Sequence, residues 1–175
     1  NLFNHGRIQK MNLLKRIQMI SVICLMIIGI DQGTKWYASE YLPKFEMTSY
    51  WSDILRIGYA ENTGAFLGLG SGMSDSAKFW IFVCAVGLIL SSLLIYILRT
   101  KTQTAYGLSS LMLIFSGGIS NFFDRAVNNG AVIDFLNIGI GSLRTGIFNV
   151  ADMAIMLGVF LLLFAKDIKA GSKEE

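Results

Sequence analysis

The sequence predicts an all-α membrane protein built from four transmembrane helices. The chain has 175 residues, of which 53% are hydrophobic and only 15% are charged, whereas soluble domains carry about 25% charged residues. Four apolar segments approach the roughly 20 residues that a helix needs to cross a bilayer. The chain contains a single proline and no linker-like stretch. We therefore expect one integral membrane domain that covers residues 1–175.

The predicted spans cover about residues 17–37, 79–98, 102–123 and 147–165. The first span has a basic front and an apolar middle, as signal peptides do. No small-residue cleavage site follows it, so we interpret it as a retained helix. Residues 1–10 precede Met11, which resembles a natural start, and they either belong to the natural chain or were added to it.

The basic residues predict the orientation of the spans. Nine of the fifteen lysines and arginines lie at the same ends of the spans: Arg7, Lys10, Lys15, Arg16, Arg99, Lys101, Lys166, Lys169 and Lys173. The positive-inside rule makes this side cytoplasmic, together with both termini. The segments 38–78 and 126–146 should then face the exterior.

Polar residues gather at the outer ends of the spans. They are Asp31, Lys35, Asn62, Asn121, Asp124, Arg125, Asp134, Asn149 and Asp152. Polar residues at membrane depth face protein or water and usually mark function. Asp31 and Lys35 are four residues apart on one helix, which predicts a structural ion pair. Asp124 and Arg125 are adjacent, so their side chains should point in different directions.

Asp134 and Asp152 are the strongest candidates for catalysis. Asp134 is expected in a short loop, and the glycine-rich segment IGIGSLRTG could bring it back over Asp152 at the start of the fourth span. Two carboxylates held close together in a low dielectric do not both ionise easily. Such a pair suits general acid–base hydrolysis. The alternative is two unrelated acids, each hydrogen-bonded at a helix end, and the residues alone leave both readings open.

Other kinds of chemistry find less support in the residues. A metal site lacks ligands, because His5 lies in the N-terminal tail and Cys24 and Cys84 lie within apolar runs. We expect no metal and no cofactor. The basic residues form no stripe, which argues against nucleic-acid binding. A proton-coupled transporter or channel subunit and a non-catalytic assembly factor remain open, although the polar residues stop at one membrane face.

Five motifs occur in a fixed order along most of the chain. They are DQGTK at 31–35, ENTGAF at 61–66, GGISNFFDR at 117–125, VIDF at 132–135 and FNVAD at 148–152. Together they resemble the motifs of the lipoprotein signal peptidases (signal peptidase II), a family of four-span membrane aspartyl peptidases.

The resemblance implies an activity and a set of site residues. The family removes signal peptides from diacylglyceryl-modified prolipoproteins, cutting before the lipid-bearing cysteine. Its catalytic aspartates match Asp134 and Asp152. Its supporting or substrate-binding residues match Asn62, Gly64, Asn121, Asp124, Arg125 and Asn149, beside the structural pair Asp31 and Lys35.

The resemblance also implies the surroundings of the enzyme. A small extracytoplasmic β-sheet cradle and an amphipathic helix would come from residues 42–70. The expected location is the bacterial cytoplasmic (inner) membrane, with the active site at the extracytoplasmic face. The expected partners are the diacylglyceryl-prolipoprotein substrate, membrane lipid and an inhibitor of the globomycin type, and we expect a monomer.

Two positions depart from the family pattern. Phe66 and Leu67 stand where many members have alanine and phenylalanine, which could reshape the loop over the substrate. Ser120 stands where a glycine is common, and its small size should preserve close helix packing.

Overall fold

The structure is a computed structural model that describes residues 11–63, 74–100 and 104–170. Within these ranges the chain forms four helices and four strands. In chain order they are α1 (Leu13–Tyr41), β1 (Thr48–Tyr50), β2 (Leu55–Asn62), α2 (Asp75–Arg99), α3 (Ala105–Val127), β3 (Val132–Ile140), β4 (Leu143–Arg144) and α4 (Val150–Ala170). Each helix overlaps one of the four predicted spans.

Local sequence signals set the ends of the helices. The side chains of Asn12, Ser74 and Thr104 each accept a hydrogen bond from the backbone N–H three residues further on. Such caps satisfy N–H groups that have no partner within the helix. Helix α1 stops at Tyr41 because Leu42 precedes Pro43, and a residue before proline disfavours helical dihedral angles. Leu42 is accordingly extended, with ψ at 148°.

Two helices are long and apolar enough to cross a membrane among the described residues. They are α1, with a mean hydropathy of 2.0, and the Phe79–Arg99 portion of α2, with 2.7. The apolar part of α4, Val150–Leu163, is shorter. Large apolar side chains such as Leu25, Leu88 and Met156 are exposed on the helix surfaces. Contiguous exposed apolar surface of this kind is rare on soluble proteins and is typical of helices that face lipid.

The four strands form one antiparallel sheet in the order β1-β2-β3-β4. The pairing of β2 with β3 runs from Leu55 opposite Ile138 to Asn62 opposite Val132. The register shifts between Ile57 and Ala60. The strands follow the C-terminal ends of α1 and α3 and precede the N-terminal end of α4. The sheet therefore lies at one end of the helices.

Helix α3 packs against the other three helices, and most closely against α4. A Cβ atom at Gly117 would lie 2.5 Å from the Ala151 carbonyl oxygen, and one at Gly158 would lie 2.6 Å from the Ser110 carbonyl oxygen. Small residues at such crossings let membrane helices approach each other closely. This contact brings the C-terminal half of α3 against the first turn of α4.

One expectation about the segments between the helices is wrong, and the described residues test another only in part. Asp134 lies within β3, not in a loop, because the 132–140 segment pairs with β2. The amphipathic helix is absent from residues 42–63, which hold β1, β2 and the turn between them. The rest of the expected segment, 64–70, lies outside the described residues. The expected small sheet is present, with β1 and β2 in the 42–70 segment, and it also includes β3 and β4. The fold is thus mostly helical with a small antiparallel sheet, and it is not all-α.

Candidate active site

Asp152 occupies the first turn of α4, where it forms a capping box with Asn149. The Asn149 Oδ1 atom accepts a hydrogen bond from the Asp152 backbone N–H at 2.9 Å. The Asp152 Oδ2 atom accepts one from the Asn149 backbone N–H at 3.1 Å. A capping box satisfies two N–H groups reciprocally. The FNVAD motif therefore fixes the position of the Asp152 carboxyl group by local backbone geometry.

Asp134 is buried on β3 and accepts hydrogen bonds from two asparagine side chains. Its Oδ1 atom lies 2.7 Å from Asn149 Nδ2, and its Oδ2 atom lies 3.0 Å from Asn62 Nδ2. Burial raises the pKa of Asp134 to about 6, and the nearby charge of Asp152 adds to the rise. The two amide hydrogen bonds oppose this shift.

The two carboxyl groups share one partner, Asn149. Its amide nitrogen binds Asp134, while its amide oxygen and backbone N–H bind Asp152. Asn121 adds a second link to Asp152, because its Nδ2 atom donates to Asp152 Oδ1 at 2.8 Å. The Asn121 Oδ1 atom accepts from Asn149 Nδ2 at 3.1 Å. The predicted convergence of Asp134 and Asp152 on one site is therefore present in the structure.

Lys35 lies beneath this site and is almost completely buried. Its ammonium group contacts Asp31 Oδ2 at 2.6 Å, Asp124 Oδ2 at 2.7 Å and Asn121 Oδ1 at 2.8 Å. A lysine ammonium group has three donors, and all three are used here. The predicted pair of Asp31 and Lys35 is present, with Asp124 as a further partner. Asp31 Oδ1 also accepts from the Ala151 backbone N–H at 2.8 Å, which ties α1 to the start of α4.

Asp124 and Arg125 diverge as their adjacency predicts. Asp124 is buried, and its Oδ2 atom also accepts from the Ile133 backbone N–H at 3.3 Å, which holds β3 against α3. The Arg125 guanidinium group lies over the ring of Phe82 on α2, 4.8 Å from its centre. Gly64, the remaining predicted site residue, lies outside the described residues, as do Phe66 and Leu67.

The sequence interpretation missed the roles of Gln32 and Ser120. The Ser120 hydroxyl donates to Asp31 Oδ2 at 2.7 Å. Gln32 Nε2 donates to Asp124 Oδ1 at 2.8 Å and to Ser120 Oγ at 3.0 Å. Ser120 and Asp124 are four residues apart, so they share a helix face. That spacing was the available signal that Ser120 does more than permit close packing.

A second polar network, also missed, holds the turn between β1 and β2. Trp51, Ser52 and Asp53 all have positive φ there. The Arg56 guanidinium group donates to both Asp53 carboxyl oxygens at 2.6 Å, and Arg144 donates to the Asp53 backbone oxygen at 2.6 Å. The bonds from Arg56 hold the pKa of Asp53 well below its ordinary value. The turn is thereby tied to β4.

The chemistry available at the site is that of two buried or half-buried carboxyl groups held by amides. Within the described ranges, no three His, Cys, Asp or Glu side chains are grouped so that they could hold a metal ion. One carboxyl group can act as a base while the other acts as an acid.

Comparisons with known proteins agree with this arrangement. The sequence model of the family Signal peptidase (SPase) II matches residues 23–166. A lipoprotein signal peptidase of Francisella tularensis subsp. novicida (strain U112) is 35% identical over 156 residues, which are 89% of this chain and 95% of that protein. The lipoprotein signal peptidase of Bacillus subtilis (strain 168) is 32% identical over 155 residues, or 88% of this chain and 96% of that protein.

Two solved structures share the fold. Both are bacterial membrane enzymes solved by the in meso method. The one at 1.9 Å resolution has a TM-score of 0.74 and 26% identity, and covers 85% of this chain and 92% of its own. The other, at 2.3 Å, has a TM-score of 0.75 and 25% identity, and covers 91% and 93%. The motifs, the fold and the family match agree, and the chain belongs to the signal peptidase II family of membrane peptidases.

Proposed function

We propose that this chain is a membrane aspartic endopeptidase that removes the signal peptide from diacylglyceryl-modified prolipoproteins and cuts before the lipidated cysteine. The family supports the reaction, and one observation supports the identity of the catalytic pair. Asn149 binds the carboxyl group of Asp134 through its side chain and that of Asp152 through its backbone N–H. Two acids that share a partner in this way are suited to act on a single water molecule.

We assign the starting proton of the pair to Asp134, because it is the more buried of the two acids and burial raises its pKa. Asp152 removes a proton from water, and the water oxygen attacks the carbonyl carbon that precedes the lipidated cysteine. Asp134 transfers its proton to the carbonyl oxygen, which gives a neutral tetrahedral intermediate. The C–N bond then breaks as the amine takes the proton held by Asp152, and a hydroxyl proton returns to Asp134. Both carboxyl groups end in their starting states.

The supporting residues would position the two acids and the substrate. Asn62, Asn121 and Asn149 fix the orientation of the carboxyl groups through the hydrogen bonds described above. The charges of Asp134 and Asp152 act on the Arg125 guanidinium group. We propose that Arg125 contacts the substrate, and we propose the same role for Gly64. Asp31, Lys35 and Asp124 hold the elements in register beneath.

The proposed setting is the bacterial cytoplasmic (inner) membrane. We propose that α1 to α4 all span it as one domain, with both termini in the cytoplasm and the active site at the extracytoplasmic face. The enzyme would act as a monomer and bind inhibitors of the globomycin type.

The orientation can be tested by thiol labelling. In a variant without Cys24 and Cys84, a single cysteine is introduced as Ser142→Cys or as Thr100→Cys. An impermeant thiol reagent should label position 142 in intact cells and position 100 only after permeabilisation, and the reverse pattern would refute it.

The alternative of a proton-coupled transporter or channel subunit has less support. A conduction path needs polar groups along the depth of the membrane. Asp134 lies in β3, Asp124 accepts a hydrogen bond from the Ile133 N–H in β3, and Asp31 accepts one from the Ala151 N–H at the start of α4. Helix α4 is apolar from Met153 to Leu163. Family membership also favours a peptidase.

The decisive assay uses purified full-length protein and a synthetic precursor peptide that carries a diacylglyceryl cysteine. We expect cleavage before that cysteine, with no inhibition by metal chelators. Asp134→Asn and Asp152→Asn should each lower kcat by about 10²–10⁴-fold, the usual contribution of a general acid or base. Near-normal cleavage by either folded variant would refute the assignment of the pair, and absence of cleavage by the unaltered protein would refute the proposed function.

A further inference from the structure

The far end of the sheet carries a group of exposed apolar side chains that the peptidase reaction does not use. We define this sheet tip as the turn between β1 and β2 together with the hairpin of β3 and β4. Trp51, Ile140 and Leu143 in the tip are 75%, 77% and 84% exposed. Tyr50, Ile54 and Ile138 beside them are 44–46% exposed. Singly scattered apolar residues need no explanation, but a cluster of this kind indicates an interaction surface.

Hydrogen bonds join the two halves of the tip. The Gly139 backbone N–H donates to the Ile54 carbonyl oxygen at 2.9 Å, and Arg144 donates to the Asp53 carbonyl oxygen at 2.6 Å. Ile140 is paired with Leu143 across the hairpin. The apolar residues of the two turns are therefore presented together as one surface.

The backbone of the tip is held in a costly conformation. Trp51 has φ at 50°, and Ser52 and Asp53 that follow it have φ at 53° and 67°. Left-handed dihedral angles are sterically unfavourable for an L-residue other than glycine. Asp53 offsets the cost through its bonds to Ser49 and Arg56. A bulky tryptophan kept exposed on a strained and reinforced turn points to a function for its side chain.

The neighbouring chain indicates what covers this surface. Trp36, Tyr37, Tyr41 and Phe45 are all exposed at the sheet end of α1 and just beyond it. Exposed tryptophan and tyrosine residues at the end of a membrane helix mark the level of the lipid headgroups. The same aromatic character continues through β1 to Tyr50 and Trp51, only six residues after Phe45.

We propose that the sheet tip inserts into the outer membrane–water interface, with Trp51, Ile140 and Leu143 among the phospholipid headgroups and upper acyl chains. The occupant of the surface is thus lipid, and the sheet lies along the bilayer instead of standing away from it. Anchoring would fix the height of β2 and β3, which carry Asn62 and Asp134, relative to the bilayer.

The test measures the membrane depth of Trp51 by fluorescence. The full-length chain with Trp36→Phe and Trp80→Phe would be placed, one copy per nanodisc, in phosphatidylethanolamine and phosphatidylglycerol that carry a quencher at the headgroup or deep in the acyl chain. A second variant, which adds Trp51→Phe and Leu143→Trp to these two changes, carries its only tryptophan on the hairpin and would report its depth. A third, retaining Trp36 alone, gives the depth of the helix end as a reference.

We expect Trp51 and the tryptophan at 143 to be quenched more strongly by the shallow label than by the deep one. The depth should be about 5–10 Å into the headgroup and acyl boundary, as for interfacial segments. Iodide in solution should quench both weakly. Full access to iodide without lipid quenching would place the tip in water and overturn the proposal. Shielding from both quenchers would show that protein covers the tip, which also overturns it.

Discussion

Lys35 carries a large share of the stability of the site, because it is the cation between two buried acids. Its ammonium group contacts Asp31 and Asp124 at 2.6 and 2.7 Å, and all three side chains are nearly inaccessible to solvent. Removing one partner of a buried ionic group leaves uncompensated charge and costs about 3–5 kcal/mol. We therefore expect Lys35→Met to lower the free energy of unfolding in detergent by roughly this amount.

The matched control for Lys35→Met neutralises the acids as well. A triple variant that adds Asp31→Asn and Asp124→Asn should recover part of the lost stability, because it leaves no unpaired charge. Equal stability of Lys35→Met and the unaltered protein, measured by thermal unfolding, would contradict the buried ion network.

Asp134 should make activity depend on pH in a defined direction. Its pKa is raised from an ordinary 3.8 to about 6, and the proposed reaction needs it protonated. The value of kcat/KM should thus fall as pH rises through about 6.

The raised pKa of Asp134 also makes stability depend on pH, because the folded state binds this proton more tightly than the unfolded state does. The stability contribution of Asp134 is therefore present below pH 4 and is lost as pH rises through 6.

The Asp134→Asn variant separates this effect from other titrations. Between pH 4 and 6, the melting temperature of this variant should change less with pH than that of the unaltered protein, because the introduced asparagine does not titrate. An unchanged pH dependence of melting in the variant would show that Asp134 does not titrate in this range.

Most individual site residues could be predicted from the sequence, because each stands in a short motif. The capping partner of Asp152, three residues before it, and the pairing of Asp31 with Lys35 are local relations that spacing reveals. The contacts of Gln32 and Ser120 join α1 to α3, so they depend on how the two helices are rotated against each other. Spacing along one helix does not determine that rotation. That Asn149 would join both acids could not be read from spacing either.

Helices α3 and α4 approach so closely that position 117 should not tolerate a residue larger than glycine. A Cβ atom at position 117 would lie only 2.5 Å from the Ala151 carbonyl oxygen. Gly117→Ala should push α4 away from α3, lowering the melting temperature by an amount equivalent to about 1–3 kcal/mol. It should also lower kcat, because Asp152 is one residue from the contact. Thermal unfolding and the cleavage assay measure the two effects.

Gly29→Ala on α1 is the matched control, since nothing lies within 4 Å of a Cβ atom placed there. Alanine favours helix over glycine by about 1 kcal/mol, so this variant should be at least as stable as the unaltered protein. If both substitutions had the same effect, close packing at Gly117 would not be the cause.

The helices were predictable from local composition, whereas the small sheet was expected only from the family resemblance, and only for residues 42–70. Apolar runs of about 20 residues identify helices through local composition. Strand β3 is recognisable only through its partner β2, since Asp134 lies opposite Ala60, more than seventy positions earlier. The burial of β3 does not alternate regularly, because Asp134 and Phe135 are both buried. A segment without the period-2 pattern gives no local signal for a half-buried strand.

At the scale of the whole molecule, the site exists only when distant segments meet. Asp31 and Lys35 come from α1, and Asn121 comes from α3. Asp134 and its partner Asn62 come from paired strands, and Asp152 comes from α4. Some of these elements are joined by hydrogen bonds to site residues, such as Asp31 to the start of α4 and Asp124 to β3. The fold and the geometry of the proposed active site are therefore stabilised by the same contacts.

The central claim is that Asp134 and Asp152 act as one unit, and a double-mutant cycle in the cleavage assay tests it most directly. Single-turnover rates would be compared for the unaltered protein, Asp134→Asn, Asp152→Asn and the double variant, each shown to be folded by thermal unfolding. Residues that work as one catalytic unit give strongly non-additive losses. We predict that the double variant is no slower than the slower single variant. Losses that multiply in the double variant would mean that the two acids act independently, and would contradict the account.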